Sequence, residues 1–360
     1  MSVFSVPGSV KDITAEWLTD VLRDGGYLQS VVSGLEIEPM AEGVGLLGEV
    51  ARLRLEYQAD EISPATLVVK CAAQNQNREL ARCLSFYDRE LEFYKRMADR
   101  CPMQVPKSYY SDLSRDSYDF VLLLDDHGNA SSRDQLIGAS RHEAFTAIRK
   151  LAELHASFWG LEKEASAWMY DSMTDDESHR LRDVIYLPAL EAVFDNYGYL
   201  LSAEHRDLCR QVGENYSEYW SSNLHGADTF IHGDYRQDNM LYQDGQDEPL
   251  VLDWQISGRG KGIFDVAYFM CQSMQPELRR QLEDELLEQY VAALAGLGID
   301  YSLADCRADY RRIILGCLIY PISVCGNMDT GNERGRALAE SMMVRNLAAI
   351  DDQRSAELVW

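Results

Sequence analysis

The sequence predicts an α+β protein of two lobes, β-rich over residues 1–125 with one long helix, and mainly helical over residues 126–360. Chain length is the first reason: 360 residues exceed what a single hydrophobic core usually organises, so two lobes around a cleft are expected. The second is the order of periodicities. Strand-length apolar runs punctuated by glycine come first, and long stretches at helical spacing follow. The character changes near residues 125–130, just after the apolar run FVLLL. A cleft between such lobes is the default place for a ligand.

The first element is DITAEWLTDVLRDGG (Asp12–Gly26). Asp12 or Thr14 can cap it, Trp17, Leu18, Val21 and Leu22 recur at helical spacing, and Gly25-Gly26 stops it. VVSGLEIEPM, EVARLRLEYQ and ATLVVKCAA then read as strands. Residues 76–99 read as the long helix. Within RELARCLSFYDRELEFYKRM, Leu80, Cys83, Leu84, Tyr87, Leu91 and Tyr94 make one apolar stripe. Glu90 falls on that stripe, while Glu92 falls with Asp88, Arg89 and Arg96 on the solvated side. Phe120–Leu124 reads as a buried strand ending in an acidic turn. RHEAFTAIRKLAELHASFWG (Arg141–Gly160) and DLCRQVGENYSEYWSSNL (Asp207–Leu224) open the helical part, and helices resume from about Ile263 to the end.

Composition narrows the function classes. The chain is 46% hydrophobic and 26% charged, as in a water-soluble globular protein. The longest apolar run, Ile313–Cys325, is too short to span a bilayer and contains Pro321. The N-terminus lacks a basic region followed by an apolar core, so no signal peptide is expected and the location is read as cytoplasmic. Eight cysteines without a C-x-x-C pair read as buried thiols rather than disulfides or a zinc site. A formal net charge of −25 repels nucleic acid and anionic lipid, so neither is expected as a partner.

Chemistry concentrates in FIHGDYRQDNMLYQDGQDEPLVLDWQISG (Phe230–Gly258). QDGQDE is a hairpin turn, and Asp244 and Asp247 are read as its turn residues. Asp234, Asn239 five residues on, and Asp253 after a second short strand suit phosphoryl transfer. That reaction needs an oriented hydroxyl and magnesium on the phosphate oxygens. Magnesium takes hard oxygen ligands, commonly one or two from protein, the rest from phosphate and water. Asn239 offers a neutral oxygen and Asp253 a charged one, leaving Asp234 to face the acceptor.

HGDYRQDN resembles the catalytic loop H-G-D-x-x-x-x-N of the aminoglycoside phosphotransferase and choline kinase superfamily. VLDWQ looks like that superfamily's metal-binding aspartate motif. The Asp-Trp-Gln form is most similar to the ecdysteroid kinase-like branch and related bacterial small-molecule phosphotransferases. The resemblance implies a two-lobed protein-kinase-like fold and a small-molecule kinase using ATP and Mg2+. It implies that His232 and Asp265 steady the loop. It also makes LAELHASFW a helix beneath the loop, with His155, Phe158 and Trp159 read as core. Arg259 and Lys261 in SGRGKG read either as phosphate or substrate contacts or as a solvated loop.

The first half offers a matching nucleotide site. LVVK puts Lys70 at the end of an apolar strand, resembling the lysine that grips the α/β-phosphates in kinases. Gly43, Gly45 and Gly48 in EGVGLLGEV stand in a turn before it, where glycine lets backbone approach phosphate. A carboxylate on an apolar helix face needs a partner, and Lys70 is the natural one for Glu90. FVLLLDD resembles the hinge, with backbone at Leu124 to Asp126 toward adenine. The acceptor is expected to be a small-molecule hydroxyl, amine-bearing if acidic walls select it, or lipophilic if YLPALEAVFDNYGYL (Tyr186–Leu200) lines a pocket rather than only packing. A non-catalytic pseudokinase, a protein kinase and GTP in place of ATP are the competing readings.

Overall fold

The computed structural model describes residues 4–40, 47–59, 63–75, 77–163, 166–171, 175–216, 224–327 and 333–359. The chain divides into two compact units, Met1–Arg100 with Val105–Ala130, and Cys101–Gln104 with Ser131–Trp360.

The first unit is built on a five-stranded antiparallel sheet. Its strands are β1 (Val32–Pro39), β2 (Gly48–Tyr57), β3 (Thr66–Ala72), β4 (Ser108–Leu113) and β5 (Phe120–Asp125), in the order β1-β2-β3-β5-β4. Alternation along the strands assigns two faces. Ala51, Leu53, Leu55, Leu67, Val69, Cys71, Val121 and Leu123 join one buried core with Trp17, Leu18, Val21 and Leu22. Those last four belong to helix α1 (Ala15–Asp24), whose N-cap is Thr14: its hydroxyl accepts the Trp17 N–H. Asp12 sits instead in a 3-10 turn before it. Lys70, Leu122 and Phe120 take the alternate positions and so lie on the other face. On that face Tyr87 stacks on Phe120 at 4.9 Å.

The helix expected over residues 76–99 is two helices, α2 (Asn77–Cys83) and α3 (Phe86–Arg96). The chain breaks at Ser85, which adopts φ 56°. Arg89 fills this break. Its Nη2 donates to the Leu84 carbonyl at 2.6 Å, closing the end of α2, and its guanidinium lies 5.3 Å from the Phe86 ring centroid. Arg89 is therefore buried, not on the solvated side where its charge had placed it.

The second unit is mainly helical. Helix α4 (Arg141–Ser157) opens with a capping box in which the Ser140 hydroxyl and the Glu143 carboxylate each take the other's backbone N–H. A two-stranded ribbon pairs β7 (Asp228–Ile231) antiparallel with β10 (Gly258–Lys261). A three-stranded sheet joins β6 (Ser131–Ser132), β8 (Met240–Tyr242) and β9 (Leu250–Val251). Cys101–Gln104 counts with this unit: Gln104 bridges Leu250, and Lys150 donates to the Pro102 carbonyl at 3.1 Å.

Helix α8 (Ile263–Ser273; α5–α7 are Asp175–Arg180, Leu187–Tyr197 and Ala203–Glu214) is buried at every position. A helix apolar all round belongs inside a core, and this one carries Asp265 and Tyr268 there. Within Tyr186–Leu200, Tyr186, Leu190, Val193 and Tyr197 are buried, while Tyr199 is exposed and donates to Glu340. That stretch packs. The run Ile313–Cys325 divides between two helices, Leu303–Gly316 and Ile319–Asn327. Pro321 sits in the first turn of the second, where a missing N–H costs nothing. Among the described residues no helix is long and apolar enough to cross a membrane. The eight cysteines are free, and six are buried.

Candidate active site

In the first unit Lys70 projects from β3, flanked in the sheet by Val50 and Leu122. Its Nζ lies 2.8 Å from the Glu90 carboxylate, with the two side chains 14% and 2% exposed. Glu92, by contrast, pairs with Arg96 one turn on. Neighbouring Tyr87 bonds at both ends of its hydroxyl: it accepts the Ala73 N–H and donates to the Leu47 carbonyl, each at 2.9 Å. Burial pushes that phenol above its ordinary pKa, so it remains a donor. Leu47, the end of β3 and α3 are thereby tied together. Gly48 starts β2, and a Cβ there would lie 2.9 Å from the Cys71 carbonyl and 3.5 Å from Lys70 Cε. The contact a side chain cannot make is the one with the Cys71 carbonyl, so the two backbones would have to part. Gly43 and Gly45 lie outside the described residues.

At the far end of the sheet, Leu124 is buried on β5 and faces Val68 and Ser108. Asp126 follows the strand, and its side chain does something the sequence did not suggest. It receives two bonds from Arg52, at 2.6 and 3.1 Å. Burial alone would raise this carboxyl; hydrogen bonds from Arg52 and Thr66 outweigh it and hold the pKa below the ordinary value. The Asp126 carboxylate is therefore committed to Arg52.

In the second unit the loop after β7 is held from beneath. Asp265, with no exposure, accepts the His232 N–H at 2.7 Å and the Gly233 N–H at 2.9 Å. His155 Nε2 stands 3.3 Å from the same carboxylate, and His155 Nδ1 lies 2.8 Å from the Tyr290 hydroxyl. The His232 ring accepts the Asp234 N–H on Nδ1 at 3.1 Å, so its proton is on Nε2, 2.9 Å from the Leu252 carbonyl. Trp254 packs over that ring, centroids 4.4 Å apart. Gly233 takes φ +84°, and a Cβ there would sit 2.6 Å from the Ile256 carbonyl. Only glycine suits this turn.

These supports aim Asp234. Oδ1 accepts the Tyr268 hydroxyl at 2.6 Å and Arg236 Nε at 3.1 Å. Oδ2 accepts Asn239 Nδ2 at 2.9 Å, and the same nitrogen donates to the Asp234 carbonyl. Burial and the Asp234 charge push the Tyr268 phenol well above its ordinary pKa, so it stays a donor. A carboxylate offers about four acceptor positions. Among the described residues three are used, and the remaining one is on Oδ2.

Because Nδ2 of Asn239 makes both bonds to Asp234, its Oδ1 must turn the other way. Leu252 N donates to the Asn239 carbonyl at 2.9 Å, which brings Asn239 beside the residue preceding Asp253. Asp253 adopts φ 63°, ψ 62°, a left-handed conformation uncommon for an aspartate and frequent at functional positions. Gln255 Nε2 holds its Oδ2 at 3.2 Å. Among the described residues no three His, Cys, Asp or Glu side chains cluster as a metal site. One neutral amide oxygen plus one carboxylate is the sparse oxygen set that magnesium completes with phosphate and water, so the donor chemistry fits.

Arg259 and Lys261 are neither solvated nor free for phosphate. They lie on β10, where Arg259 pairs with Asp171 and Asp228, and Lys261 contacts Asp228 at 2.8 Å. Asp247 is exposed, and Gly245 takes φ +78° in the turn beside it. Sequence reasoning missed Tyr268 and Arg236. Tyr268 carried one usable signal, its i+3 spacing from Asp265 on the same helix. Arg236 carried none beyond lying in the loop.

The fold is similar to that of choline kinase from Cryptosporidium parvum Iowa II, at 12% identity and TM-score 0.54, covering 89% of this chain and 90% of that one. Choline kinase LicA from Streptococcus pneumoniae aligns at 15% identity and TM-score 0.52, covering 92% and 96%. The GDP complex of wild-type aminoglycoside 2'-phosphotransferase-IIIa aligns at 14% identity and TM-score 0.51, covering 92% and 97%. These likenesses establish the kinase-like phosphotransferase fold. No curated protein matches the chain. The profile of the ecdysteroid kinase-like family matches residues 42–298, which is most of the chain and includes Lys70, Glu90, Asp234, Asn239 and Asp253. The protein belongs to the ecdysteroid kinase-like family.

Proposed function

We propose that the protein is an ATP- and Mg2+-dependent phosphotransferase acting on a hydroxyl group of a small molecule, either amine-bearing or lipophilic. The observation that carries this is the Asp234–Asn239 pair. One amide nitrogen clamps the carboxylate, leaves one Oδ2 acceptor position unused by the described residues, and turns the amide oxygen away from Asp234.

In this reading the acceptor hydroxyl donates to Asp234 Oδ2. As its oxygen bonds to the γ-phosphorus, the proton passes to Asp234 and the β–γ bridging P–O bond breaks, releasing ADP. Asn239 and Asp253 would hold magnesium, which supplies charge neutralisation on the phosphate oxygens. Lys70, kept in place by Glu90, would grip the α/β-phosphates. The turn through Gly43, Gly45 and Gly48 would cover them, and the backbone from Leu124 to Asp126 would meet the base. The acidic surface argues against nucleic acid and membrane partners and suits a cytoplasmic enzyme.

The test is an acceptor screen with ATP and with GTP in the presence of magnesium. GTP is included because a structural neighbour is a GDP complex. Choline-like amines, aminoglycosides, sterols and sugars form the panel, with Asp234→Asn as control. The expected result is transfer to one class, with a loss on the order of 10²–10⁴ in kcat for the variant. An Asp234→Asn protein with full transfer activity would remove Asp234 from the chemistry. A wild type that binds nucleotide and transfers phosphate to nothing is the pseudokinase outcome, and incorporation into protein would restore the protein-kinase reading.

A further inference from the structure

We propose that Arg236 is a phosphate-binding catalytic residue, its guanidinium presenting Nη2 to the phosphoryl group as that group passes from nucleotide to acceptor. This rests on the phosphotransferase reading above.

Arg236 stands two residues after Asp234 with its side chain only 18% exposed. Its planar fork is fixed at two corners. Nε donates to Asp234 Oδ1 at 3.1 Å, and Nη1 donates to Asp238 Oδ2 at 2.9 Å. Nη2 has no partner among the described residues, although a guanidinium carries five N–H donors in a rigid plane. A largely buried cation beside the acceptor-activating carboxylate thus keeps donors unspent.

A purely structural role accounts poorly for that arrangement. Asp234 is already held by Tyr268 and Asn239. Asp238 has other partners too: its Oδ1 accepts the Gln135 N–H, and its own N–H donates to Gln135 Oε1, both at 3.3 Å. Pairing with the two carboxylates accounts for Nε and Nη1 but gives Nη2 no partner among the described residues. In this loop Arg236 is also the positive charge set directly against the Asp234 carboxylate. Asp234, Asp238 and Asp253 all act on Arg236 electrostatically, so an anionic phosphoryl group arriving at Asp234 meets carboxylates. Coulomb repulsion between like charges a few ångströms apart is large in a site with little water. A guanidinium whose fork matches phosphate oxygens offsets it where charge develops.

The experiment compares wild type, Arg236→Met, Arg236→Lys and Asp238→Asn, all full length and checked by circular dichroism and thermal unfolding. The readouts are affinity for ADP-Mg2+ alone, affinity for ADP-Mg2+ with aluminium fluoride as a mimic of the phosphoryl group in transfer, and the kcat and KM of transfer. For Arg236→Met the expected result is ADP affinity within about threefold of wild type and a fluoride-complex affinity lower by about 10²-fold or more. Its kcat should fall about 10²–10³-fold with little change in acceptor KM. Arg236→Lys, which keeps the charge and loses the fork, should recover part of both. If Arg236→Met does not fold, Arg236→Lys carries the comparison, with about a tenfold loss expected for the fluoride complex. Asp238→Asn should leave fluoride-complex affinity near wild type.

Arg236 variants that bind the fluoride complex as wild type does would overturn the proposal. So would an Asp238→Asn protein that reproduces the Arg236→Met loss, since the effect would then run through loop structure. A wild type that neither binds nucleotide nor transfers phosphate would instead refute the phosphotransferase reading itself, and this inference with it.

Discussion

Replacing Asp265 with Asn tests how the His232–Asn239 loop is built. The carboxylate is fully buried and accepts two backbone N–H groups, from His232 at 2.7 Å and Gly233 at 2.9 Å. Hydrogen bonds to a buried charge contribute about 1.5–3 kcal/mol each, against about 1 for a neutral one. An asparagine keeps one acceptor oxygen and turns its NH₂ toward the second N–H. One charged bond becomes neutral, the other is lost, and a buried donor is left unpaired at a cost of about 1–3 kcal/mol. Sparing the burial of a charge offsets part of this. The net expectation is destabilisation by about 3 kcal/mol, or roughly 6–12 °C in the unfolding midpoint of a unit this size. Because the same N–H groups aim Asp234, kcat should fall about 10–100-fold beyond any loss of folded protein. Denaturant unfolding with m-values, together with kcat per folded molecule, measures both. An Asp265→Asn protein within 1 kcal/mol of wild type and with unchanged kcat would refute the view that this carboxylate organises the loop.

Two further outcomes follow from pairs elsewhere in the molecule. Glu90→Met removes the carboxylate 2.8 Å from a Lys70 ammonium that is only 14% exposed, and a denaturation double-mutant cycle with Lys70→Met should return a favourable coupling energy between the two. Either change should also weaken nucleotide binding, by about tenfold or more, read by calorimetry. Hydrogen bonding to Asp309 and its charge raise the His225 pKa above the ordinary 6.5. A raised folded-state value means the stabilisation is complete below about pH 6.5 and is lost as pH rises through the folded pKa. Unfolding midpoints measured across that range should fall in wild type and flatten in His225→Gln.

The parts of the site that were readable share one trait: their residue type contradicts its local surroundings. Glu90 stood out as a carboxylate on an apolar helix stripe, and its partner is the lysine that ends a strand. Asp234, Asn239 and Asp253 stood out through spacing around two short strands. Arg89 was misplaced by the same logic. A charged residue on the polar side of a helix reads as solvated, and no local pattern shows that it closes the preceding helix through the Leu84 carbonyl. The helix break at Ser85 was hidden for the same reason, since residues 76–99 keep helical spacing across it. The side-chain pairings of Asp126, Arg259 and Lys261 were not readable, because their partners Arg52, Asp171 and Asp228 are 31–88 residues away in sequence.

The sequence by itself determined which side chains are on offer: the order β-rich then helical, a strand lysine with a helix glutamate, and the oxygen-bearing Asp234, Asn239 and Asp253 to which we assign acceptor and metal. These depend on periodicity and spacing, which are local. Only the tertiary structure decided how that chemistry is aimed. The Asn239 amide is oriented by Asp234, the loop backbone is held by Asp265 from a buried helix, and Asp234 is clamped by Tyr268 and Arg236. Hydrogen-bond direction and burial arise between segments distant in the chain, so no pattern within either segment can specify them.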